Sequence, residues 1–551
     1  MFKGHPKGLY VAFLANMGER FGFYTMMGIL VLFLQAKFNL DAGKAGLIYS
    51  IFYFSIYALA LLGGFIADRT QNYKGVVAVG VTIMFLGYFL LAIPGFGLVV
   101  ACTALGTIAL GNGLFKGNLQ ALVGQMYDNP QYSGLRDSAY SIFYMGINVG
   151  AMFAPNAAVW VQKWYLKRNG YDFLPETYNL CKQFIASTLT ETSQLSEIAL
   201  KATGQSVTDL GEFANNYLDV FSTGYHYAFG IAGAAMLISL ASYLIFKQHL
   251  PEKKKVEAGS ADVPQMPKAE EKQRLLALGL VFLVVIFFWM SFHQNGLTMT
   301  FFARDCTVTS VAPLSNLLFD IRSLLSIGLG VLGLVLVLKP SSGGITRLIG
   351  AVMAVVFGAL VYYFYNSSAP ATRIHPATFQ HFNAFFVVFL TPVIVGLFAW
   401  LRSKGKEPSA PRKIGIGMII AALGFVVLLI GSLGMPIAPV DAENHQIPLQ
   451  ETMLVSTQWL IQSYLVLTIA ELFLSPMGIS FVSKVAPPRF QGLMQGGWLC
   501  ATAIGNQLLF VGPFFWSRVP IWGVWLIFIV CCLISATVIF SLLRRLELVA
   551  K

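Results

Sequence analysis

Long uncharged stretches recur along the whole chain. Residues 414–433 (IGIGMIIAALGFVVLLIGSL) form one of them, with no charged side chain in 20 positions. A helix of about 20 apolar residues crosses the hydrocarbon core of a bilayer, which is roughly 30 Å thick. The strands of a membrane β-barrel are shorter, about 10 residues, and alternate in polarity. The pattern therefore predicts an all-α polytopic membrane protein and excludes both a soluble enzyme and a receptor with a single membrane anchor.

Fourteen such stretches are separated by polar or turn-forming segments. Pro94-Gly95 and Lys339-Pro340-Ser341-Ser342-Gly343-Gly344 are typical of these breaks, because proline and glycine interrupt helices. The predicted spans are 9–36, 44–67, 75–94, 97–124, 138–162, 224–247, 274–301, 314–338, 345–366, 379–402, 413–433, 453–480, 491–515 and 522–544.

Two of the intervening segments are long and polar. Residues 248–273 are rich in charge and contain proline, which indicates a cytoplasmic linker. The linker divides the chain into an N-terminal bundle of six spans, 1–247, and a C-terminal bundle, 274–551, that contains eight. Residues 163–223 are predicted to form an extracytoplasmic segment. A cap with a function and a segment without one are both open interpretations of it. Short surface helices are predicted within it at 179–190 and 195–203.

The distribution of charge predicts the orientation of the protein in the membrane. Only 11% of residues are charged, against roughly 25% in soluble proteins. With both termini in the cytoplasm, 24 of the 37 Lys and Arg residues fall in inside segments, 10 in outside segments and three within spans. Basic residues concentrate on the cytoplasmic side of membrane proteins, where they face anionic lipid. The net charge of +12 therefore reflects topology and does not indicate a nucleic-acid partner.

The six cysteines lack the spacing of a metal site, so neither a metal nor a cofactor is predicted. Cys181 and Cys306 fall in outside segments, and a disulfide between them is an open alternative. Cys531 and Cys532 lie in an apolar span and are interpreted as packing residues.

A few ionisable side chains interrupt the apolar spans. Charged groups are unfavourable in the hydrocarbon region, so each marks a candidate functional site. A neutralised structural pair is the alternative for Glu19 and Arg20 in span 1. Lys116 in span 4 and Glu471 in span 12 have no opposite charge nearby in the sequence, and His293 lies in span 7. Together with neighbouring amides and tyrosine hydroxyls, these cations and carboxylates suit a zwitterionic ligand.

Several motifs occur in a fixed order along the spans. Together they resemble those of the proton-dependent oligopeptide transporters (POT/PTR) of the major facilitator superfamily. They are Gly18-Glu19-Arg20-Phe21-Gly22-Phe23-Tyr24, Gly63-Gly64-Phe65-Ile66-Ala67-Asp68-Arg69, Gly111-Asn112-Gly113-Leu114-Phe115-Lys116-Gly117-Asn118, Phe143-Tyr144-Met145-Gly146-Ile147-Asn148-Val149-Gly150, Phe288-Trp289 with Gln294, and Glu471-Leu472-Phe473-Leu474-Ser475-Pro476-Met477-Gly478.

The resemblance implies a fold of two six-helix bundles around a central cavity that opens alternately to each side of the membrane. Residues 379–383 (FQHFN) resemble the start of the family's eighth core helix. The extra helix pair, within 314–366, is then inserted between core helices 7 and 8. The implied activity is import of di- and tripeptides together with protons by a monomer in the bacterial inner membrane, and not an enzymatic reaction.

The resemblance also implies roles for individual residues, which follow here. Arg20 and Lys116 would bind the peptide carboxylate, Glu471 its ammonium group with help from Asn148 and Asn383, Tyr24 and Tyr57 its backbone, and Trp289 and Trp498 its side chains; Glu19, Lys116, His293 and Glu471 would carry protons, and Asp68 and Arg69 belong to a gating or structural motif.

Four positions depart from the family pattern. Asn16 replaces the first glutamate of the span 1 motif, Phe23 replaces a tyrosine, and Gly117 replaces a proline. His293 occupies a position that is often acidic in bacterial members. Because Asn16 cannot carry a proton, coupling must rest on the remaining candidates or be absent. His293 titrates in the working pH range when unperturbed, but a neutral hydrogen-bonding role is open too. A family relative that carries another zwitterion or an anion is a further alternative.

Overall fold

A computed structural model describes residues 4–127, 130–132, 135–189, 191–203, 207, 209–251, 266–340, 342–441, 444–487 and 490–550. Most of the predicted cytoplasmic linker, 252–265, lies outside the described residues.

The first part of the described chain contains six long helices and two short ones. The two short helices, α6 and α7, lie in the predicted extracytoplasmic segment, close to where surface helices were expected. The helices are α1 (Lys7–Phe38), α2 (Ala42–Thr70), α3 (Tyr73–Ala92), α4 (Leu98–Met126), α5 (Arg136–Arg168), α6 (Pro175–Ile185), α7 (Ser193–Thr203) and α8 (Leu210–Phe246).

The second part contains the remaining helices and a small antiparallel ladder, β1 (Ser310–Val311) with β2 (Thr372–Arg373). The helices are α9 (Lys268–Phe292), α10 (Thr298–Asp305), α11 (Pro313–Phe319), α12 (Ile321–Leu338), α13 (Gly344–Ser367), α14 (His381–Ser403), α15 (Ala410–Gly431), α16 (Gln458–Val485), α17 (Gln491–Gln507), α18 (Val511–Trp516), α19 (Ile521–Ser541) and α20 (Leu543–Ala550).

Thirteen segments of the described chain are helical, long and apolar enough to cross a membrane, and they correspond to thirteen of the fourteen predicted spans. The fourteenth, 138–162, is also helical and belongs to α5, which has 33 residues. The predicted start of the sixth span, residue 224, is wrong for the helix as a whole, because α8 begins at Leu210. Its first turns contain Glu212, Asn215, Asn216 and Asp219 among apolar residues, and these polar side chains are why a hydropathy pattern does not detect the start of the helix.

The chain reverses direction between α1 and α2 within a few residues. Asn39 adopts the left-handed conformation, with φ of 50°, and ends α1. The side chain of Asp41 then accepts a hydrogen bond from the backbone N–H of Lys44 at 2.9 Å and caps α2. We call this end of the bundle the outer end, following the predicted orientation.

Glycines permit the close helix crossings of the first half, which consists of α1–α5 and α8. A Cβ atom built on Gly63 of α2 would lie 2.1 Å from the carbonyl oxygen of Gly113 on α4. One built on Gly80 of α3 would lie 2.7 Å from the carbonyl oxygen of Gly111. These small-residue positions therefore bring backbones into direct contact, as is common between membrane helices.

Two helices of the second half, which consists of α9, α10 and α14–α19, are interrupted. A 3-10 turn, His293–Gly296, separates α9 from α10, and another, Leu508–Phe510, separates α17 from α18. Pro513 has no N–H to donate to the carbonyl of Leu509, four residues earlier. The side chain of Gln294 in the facing break donates to that carbonyl instead, at 3.0 Å. The two breaks therefore lie side by side, and a side chain of the first satisfies a carbonyl of the second.

The inserted helices α12 and α13 follow α10 and precede α14, where the extra pair was predicted. They cross closely, because a Cβ on Gly333 would lie 2.6 Å from the carbonyl oxygen of Gly350. Gly350 is the buried residue of α13, so this helix presents most of its surface to the bilayer. The proposed disulfide is not formed, since Cys181 and Cys306 are both free thiols.

We predict that Gly63→Ala destabilises the protein by about 1–3 kcal/mol, because the added methyl group meets backbone atoms that have no room to move. The matched control is Gly64→Ala. A Cβ at Gly64 meets no atom within 4 Å, so this change is expected to be neutral or stabilising by up to about 1 kcal/mol. The measurement is thermal unfolding of the detergent-solubilised variants. Equal melting temperatures would contradict the proposed crossing.

Candidate substrate-binding site

The first half carries a buried ion pair near its centre. Arg20 donates from Nε and Nη2 to the two carboxylate oxygens of Glu19, at 2.5 and 2.7 Å. Asn112 of α4 donates to Glu19 Oε1 at 2.6 Å. Both charged side chains are at most 5% exposed, and a buried charge is tolerated when it is paired and hydrogen-bonded. The sequence left open whether Glu19 and Arg20 form a neutralised pair, and in this structure they do.

Lys116 is the second cation of the first half, and it differs from Arg20 in its surroundings. Its Nζ sits 4.3 Å from the centre of the Tyr57 ring, a cation–π contact. Among the described residues, no carboxylate forms an ion pair with it. Its ammonium group is therefore available to an anionic partner.

The negatively charged side chain that corresponds to Lys116 is Glu471, in the second half. Glu471 on α16 accepts a hydrogen bond from Asn383 Nδ2 at 3.1 Å, and the same amide donates to Thr468 Oγ1 at 3.0 Å. Within the part of the chain that is described, no basic side chain pairs with Glu471. An amide orients this carboxylate but does not neutralise its charge.

His293 lies in the break between α9 and α10. Its Nδ1 contacts Asn506 Oδ1 on α17 at 2.5 Å, and with the amide in this orientation Nδ1 is the donor. The imidazole stacks on Trp289 with ring centres 4.8 Å apart. On its other side the ring of Tyr53, from the first half, lies 4.7 Å away. His293 therefore occupies the boundary between the two halves.

The groups of both halves face one shared region. Glu471 is close enough to Tyr24 and Tyr57 to interact electrostatically with both hydroxyls. Lys116 interacts in the same way with His293. The structure thus brings together residues from span 1, span 2, span 4, span 7 and span 12 that are far apart in the sequence.

Three further predicted residues are Trp289, Trp498 and Asn148, whose part in the site stays a prediction. Trp289 and Trp498 are 8% and 5% exposed. Trp498 lies flat against α16, where a Cβ on Gly478 would come within 1.9 Å of the indole. The indole N–H of Trp289 is buried without a hydrogen-bond acceptor among the described residues. Asn148 on α5 is half-buried.

Asp68 and Arg69 do not join the central site. Both are exposed at the end of α2 opposite the outer end, and Asp68 accepts a hydrogen bond from the hydroxyl of Tyr73 at the start of α3. Their gating or structural role stays a prediction. Asn16 lies one turn before Arg20 on α1, and its amide donates to the carbonyl of Phe143 on α5 at 3.3 Å.

Sequence reasoning missed Asn506 as a site residue. It is fully buried and its Nδ2 has no acceptor among the described residues. The available signal was the one used for the other amides, a polar side chain inside an apolar span. Its partner, His293, could not be inferred because the two residues are 213 positions apart.

A second polar cluster joins the two halves at the outer end. Arg304 on α10 donates to Gln35 Oε1 of α1 at 2.6 Å, and Gln35 donates to Gln446 Oε1 at 2.9 Å. His445 Nε2 lies 2.8 Å from the carbonyl oxygen of Asn39. These contacts hold the outer ends of the two halves together.

Comparisons with known proteins identify a family. The sequence profile of the POT family (PTR2) matches residues 74–267 and 363–513, more than half of the chain. The unmatched stretch between the two matches includes α9–α12 and most of α13.

Three similar proteins are named as transporters or permeases, and each match covers most of both chains. The chain is 27% identical to peptide transporter YePEPT of Yersinia enterocolitica, and the match covers 92% of this chain and 87% of the relative. Identity and coverage are the same for the uncharacterized transporter YclF of Bacillus subtilis. Identity is 24% for dipeptide and tripeptide permease A of Cronobacter turicensis, covering 90% of this chain and 82% of the relative.

Solved structures confirm the predicted fold class. A variant of the peptide transporter POT in complex with alafosfalin superposes with a TM-score of 0.68 at 21% identity, covering 100% of this chain and 97% of that one. A POT family transporter in complex with 5-aminolevulinic acid gives 0.67 at 19% identity, with coverages of 99% and 98%. At these identities the likeness shows the fold alone.

The hydrogen bond between His293 and Asn506 leads to a stability prediction. We expect Asn506→Leu to destabilise the protein by about 1–3 kcal/mol, because it leaves a buried imidazole N–H without an acceptor. In the His293→Leu background the same change should have a much smaller effect, since the unsatisfied group is gone. Thermal unfolding of both single variants and the double variant measures this coupling. Additive effects would show that the two side chains do not interact.

Proposed function

Because the chain belongs to the POT family, we propose that it imports di- and tripeptides together with protons by alternating access. It is a multi-pass membrane protein and a transporter, not an enzyme. The observation that carries the proposal is a central site in which Lys116 of the first half and Glu471 of the second half face the same region, each without an ion-pair partner among the described residues. A peptide is a zwitterion whose two ends match these two charges.

The carboxylate of the peptide would meet Lys116 beside the Tyr57 ring. Arg20 contributes as well, because Glu19 engages only its Nε and Nη2 and a guanidinium has five N–H donors. Charged donors bind carboxylates strongly where water is excluded. Recognition of this terminus involves no side chain of the peptide.

The ammonium of the peptide would meet Glu471, with the carbonyl oxygens of Asn383 and Asn148 as further acceptors. The hydroxyls of Tyr24 and Tyr57 are placed to bond the peptide backbone. Because termini and backbone are common to all short peptides, a site that binds them accepts many sequences.

Trp289 and Trp498 would then contact the peptide side chains through their rings. Both indoles are largely packed against neighbouring helices, so they form walls of fixed shape.

Proton carriage rests on four candidates, Glu19, Lys116, His293 and Glu471. His293 is set up as an acceptor, because Nδ1 is bound to Asn506 and no described residue is hydrogen-bonded to Nε2. A proton on Nε2 would place a second positive charge close to Lys116 and favour entry of the peptide carboxylate. Glu19 is less available, because Arg20 and Asn112 already occupy its oxygens.

One observation favours a peptide carrier with altered or absent proton coupling. Asn16 replaces an acidic residue of the family motif, and here it ties α1 to the carbonyl of Phe143. An amide in that position cannot titrate. We retain the symporter as the proposal because His293 and Glu471 remain at the shared centre of the two halves.

The outer cluster supports an alternating-access cycle. Peptide entry from outside would require the hydrogen bonds of Gln35 with Arg304 and Gln446 to break. We propose that both termini lie on the cytoplasmic side, as the basic inside segments favour. We also propose that the protein is a monomer in a bacterial inner membrane.

Uptake into proteoliposomes tests the function directly. With an inward proton gradient we expect labelled dipeptide to accumulate above its external concentration, with proton entry recorded by an internal pH dye. Absence of uptake with and without the gradient would contradict peptide transport. Uptake without proton entry would contradict only the coupling. An N-acetylated dipeptide is the matched control substrate, because it lacks the ammonium group proposed to meet Glu471, and it should be transported poorly.

Lys116→Ala tests the carboxylate site. We expect peptide binding to weaken by about 30-fold or more, because truncating one partner of a buried charged pair costs about 2–5 kcal/mol. The control is Lys201→Ala, which removes an exposed lysine paired with Glu197 on the outer segment and should leave binding unchanged. Peptide-induced thermal stabilisation reports binding in both variants. Unchanged affinity in Lys116→Ala would remove this residue from the site.

A further inference from the structure

A groove at the outer end lies between the two halves. Its volume is about 580 Å³. The first turns of α2, from the first half, form one wall, and α18 with the turn that follows it, from the second half, forms the other. None of the residues proposed above to bind peptide lines it.

The two walls touch at the floor of the groove. A Cβ atom on Gly46 would lie 2.5 Å from Cγ of Pro513, so α2 and α18 are in direct contact there. The groove therefore marks a seam that must change when the outer ends of the halves separate.

The residues of the groove are ordered from charged to apolar with depth in the membrane. Lys44 stands at the outer end of α2 with its side chain 73% exposed. Leu47 lines the groove one turn further along α2 and is 44% exposed. Ile51 follows on the same face of the helix, just past the lined groove, and is 47% exposed. On the facing wall Phe514 is 42% exposed and Arg518 lies beyond it at the outer end. Cations above an apolar channel match a phospholipid, with its phosphate at the interface and its chains below.

The two cations of the groove differ in how they are held. Lys44 pairs with Asp41 at 3.0 Å. Partial burial opposes ionisation of Asp41, but hydrogen bonds from Lys44 hold the pKa of this carboxyl below its ordinary value. Arg518 stacks over the Phe514 ring at 3.9 Å and donates to the Phe514 carbonyl. No carboxylate pairs with Arg518 among the described residues, and an arginine held flat in this way is well suited to a phosphate.

We propose that this groove binds a glycerophospholipid of the outer leaflet, with its phosphate between Lys44 and Arg518 and an acyl chain along Leu47 and Ile51. Lys44 belongs to the first half and Arg518 to the second, so the bound lipid links the outer ends of the halves across their seam. A free anion would use the two cations but not the apolar channel. A phosphate-free lipid would use the channel but not the cations.

Native mass spectrometry of the full chain in detergent tests binding. The probes are phosphatidylethanolamine, phosphatidylglycerol, a diacyl galactolipid without phosphate, and glycerol 3-phosphate without chains. We expect both phospholipids to be retained and the other two probes to bind much more weakly. Lys44→Gln and Arg518→Gln should each weaken phospholipid binding about fivefold, and the double variant about 25-fold, as expected for two cations near a lipid phosphate.

Arg168→Gln is the matched control. Arg168 also stacks on an aromatic residue four positions earlier in its helix, Trp164, at 5.6 Å, but it lies outside the groove. Its replacement should leave lipid binding unchanged. Equal retention of the galactolipid, equal binding of glycerol 3-phosphate, or phospholipid affinity that survives the double variant would each overturn the proposal. The altered side chains are exposed, and thermal unfolding verifies that each variant is folded.

Hydrogen exchange in lipid nanodiscs tests the linking role. In phospholipid discs we expect the backbone amides of residues 39–44 and 444–447 to exchange several-fold more slowly than in galactolipid discs. In Arg518→Gln this difference should disappear. The same rates in both discs for the unaltered protein would overturn the link. These readouts do not involve peptide, so they stand or fall independently of the proposed transport function.

Discussion

The hydrocarbon core of a bilayer offers no water to satisfy polar groups, and the whole structure depends on this constraint. Backbone groups are satisfied inside helices, and buried side chains bond to one another, as Glu19 does with Arg20 and Asn112. Lys116 and Glu471 differ, because among the described residues neither has an ion-pair partner. A charge left uncompensated in such a setting is unfavourable unless a ligand or a proton completes it.

The same constraint governs where the helices are interrupted. Non-helical backbone at membrane depth persists only where neighbouring groups satisfy it. Gln294 supplies the donor that the carbonyl of Leu509 lacks, and the hydroxyl of Tyr464 donates to the carbonyl of Asn295 at 2.6 Å. Each interruption therefore depends on a side chain from another helix, and the breaks form one unit next to His293.

The spans could be predicted from the sequence because a window of about 20 residues contains the whole signal. The contacts between side chains within the site could not be predicted from the sequence, because the contacting residues come from distant parts of the chain. His293 meets Asn506 only through the packing of α9 against α17. The outer part of α8 was missed for a different reason. Charged and amide side chains, Glu212, Asn215 and Asp219 among them, are interspersed with apolar ones in its first turns, so the uncharged stretch that marks a span begins only later.

The central site and the outer contacts are mechanically connected through α10 and α18. Each helix begins at a break beside the site and ends at a contact between the halves: α10 carries Arg304, which bonds to Gln35, and α18 leads to Arg518 at the groove. The eight residues of α10 span about 12 Å at 1.5 Å per residue. A tilt of α10 at the His293 break would therefore displace Arg304 and strain its hydrogen bond to Gln35. Because Gln294 in this break is bonded to the carbonyl of Leu509 in the other, the same movement would also reach α18.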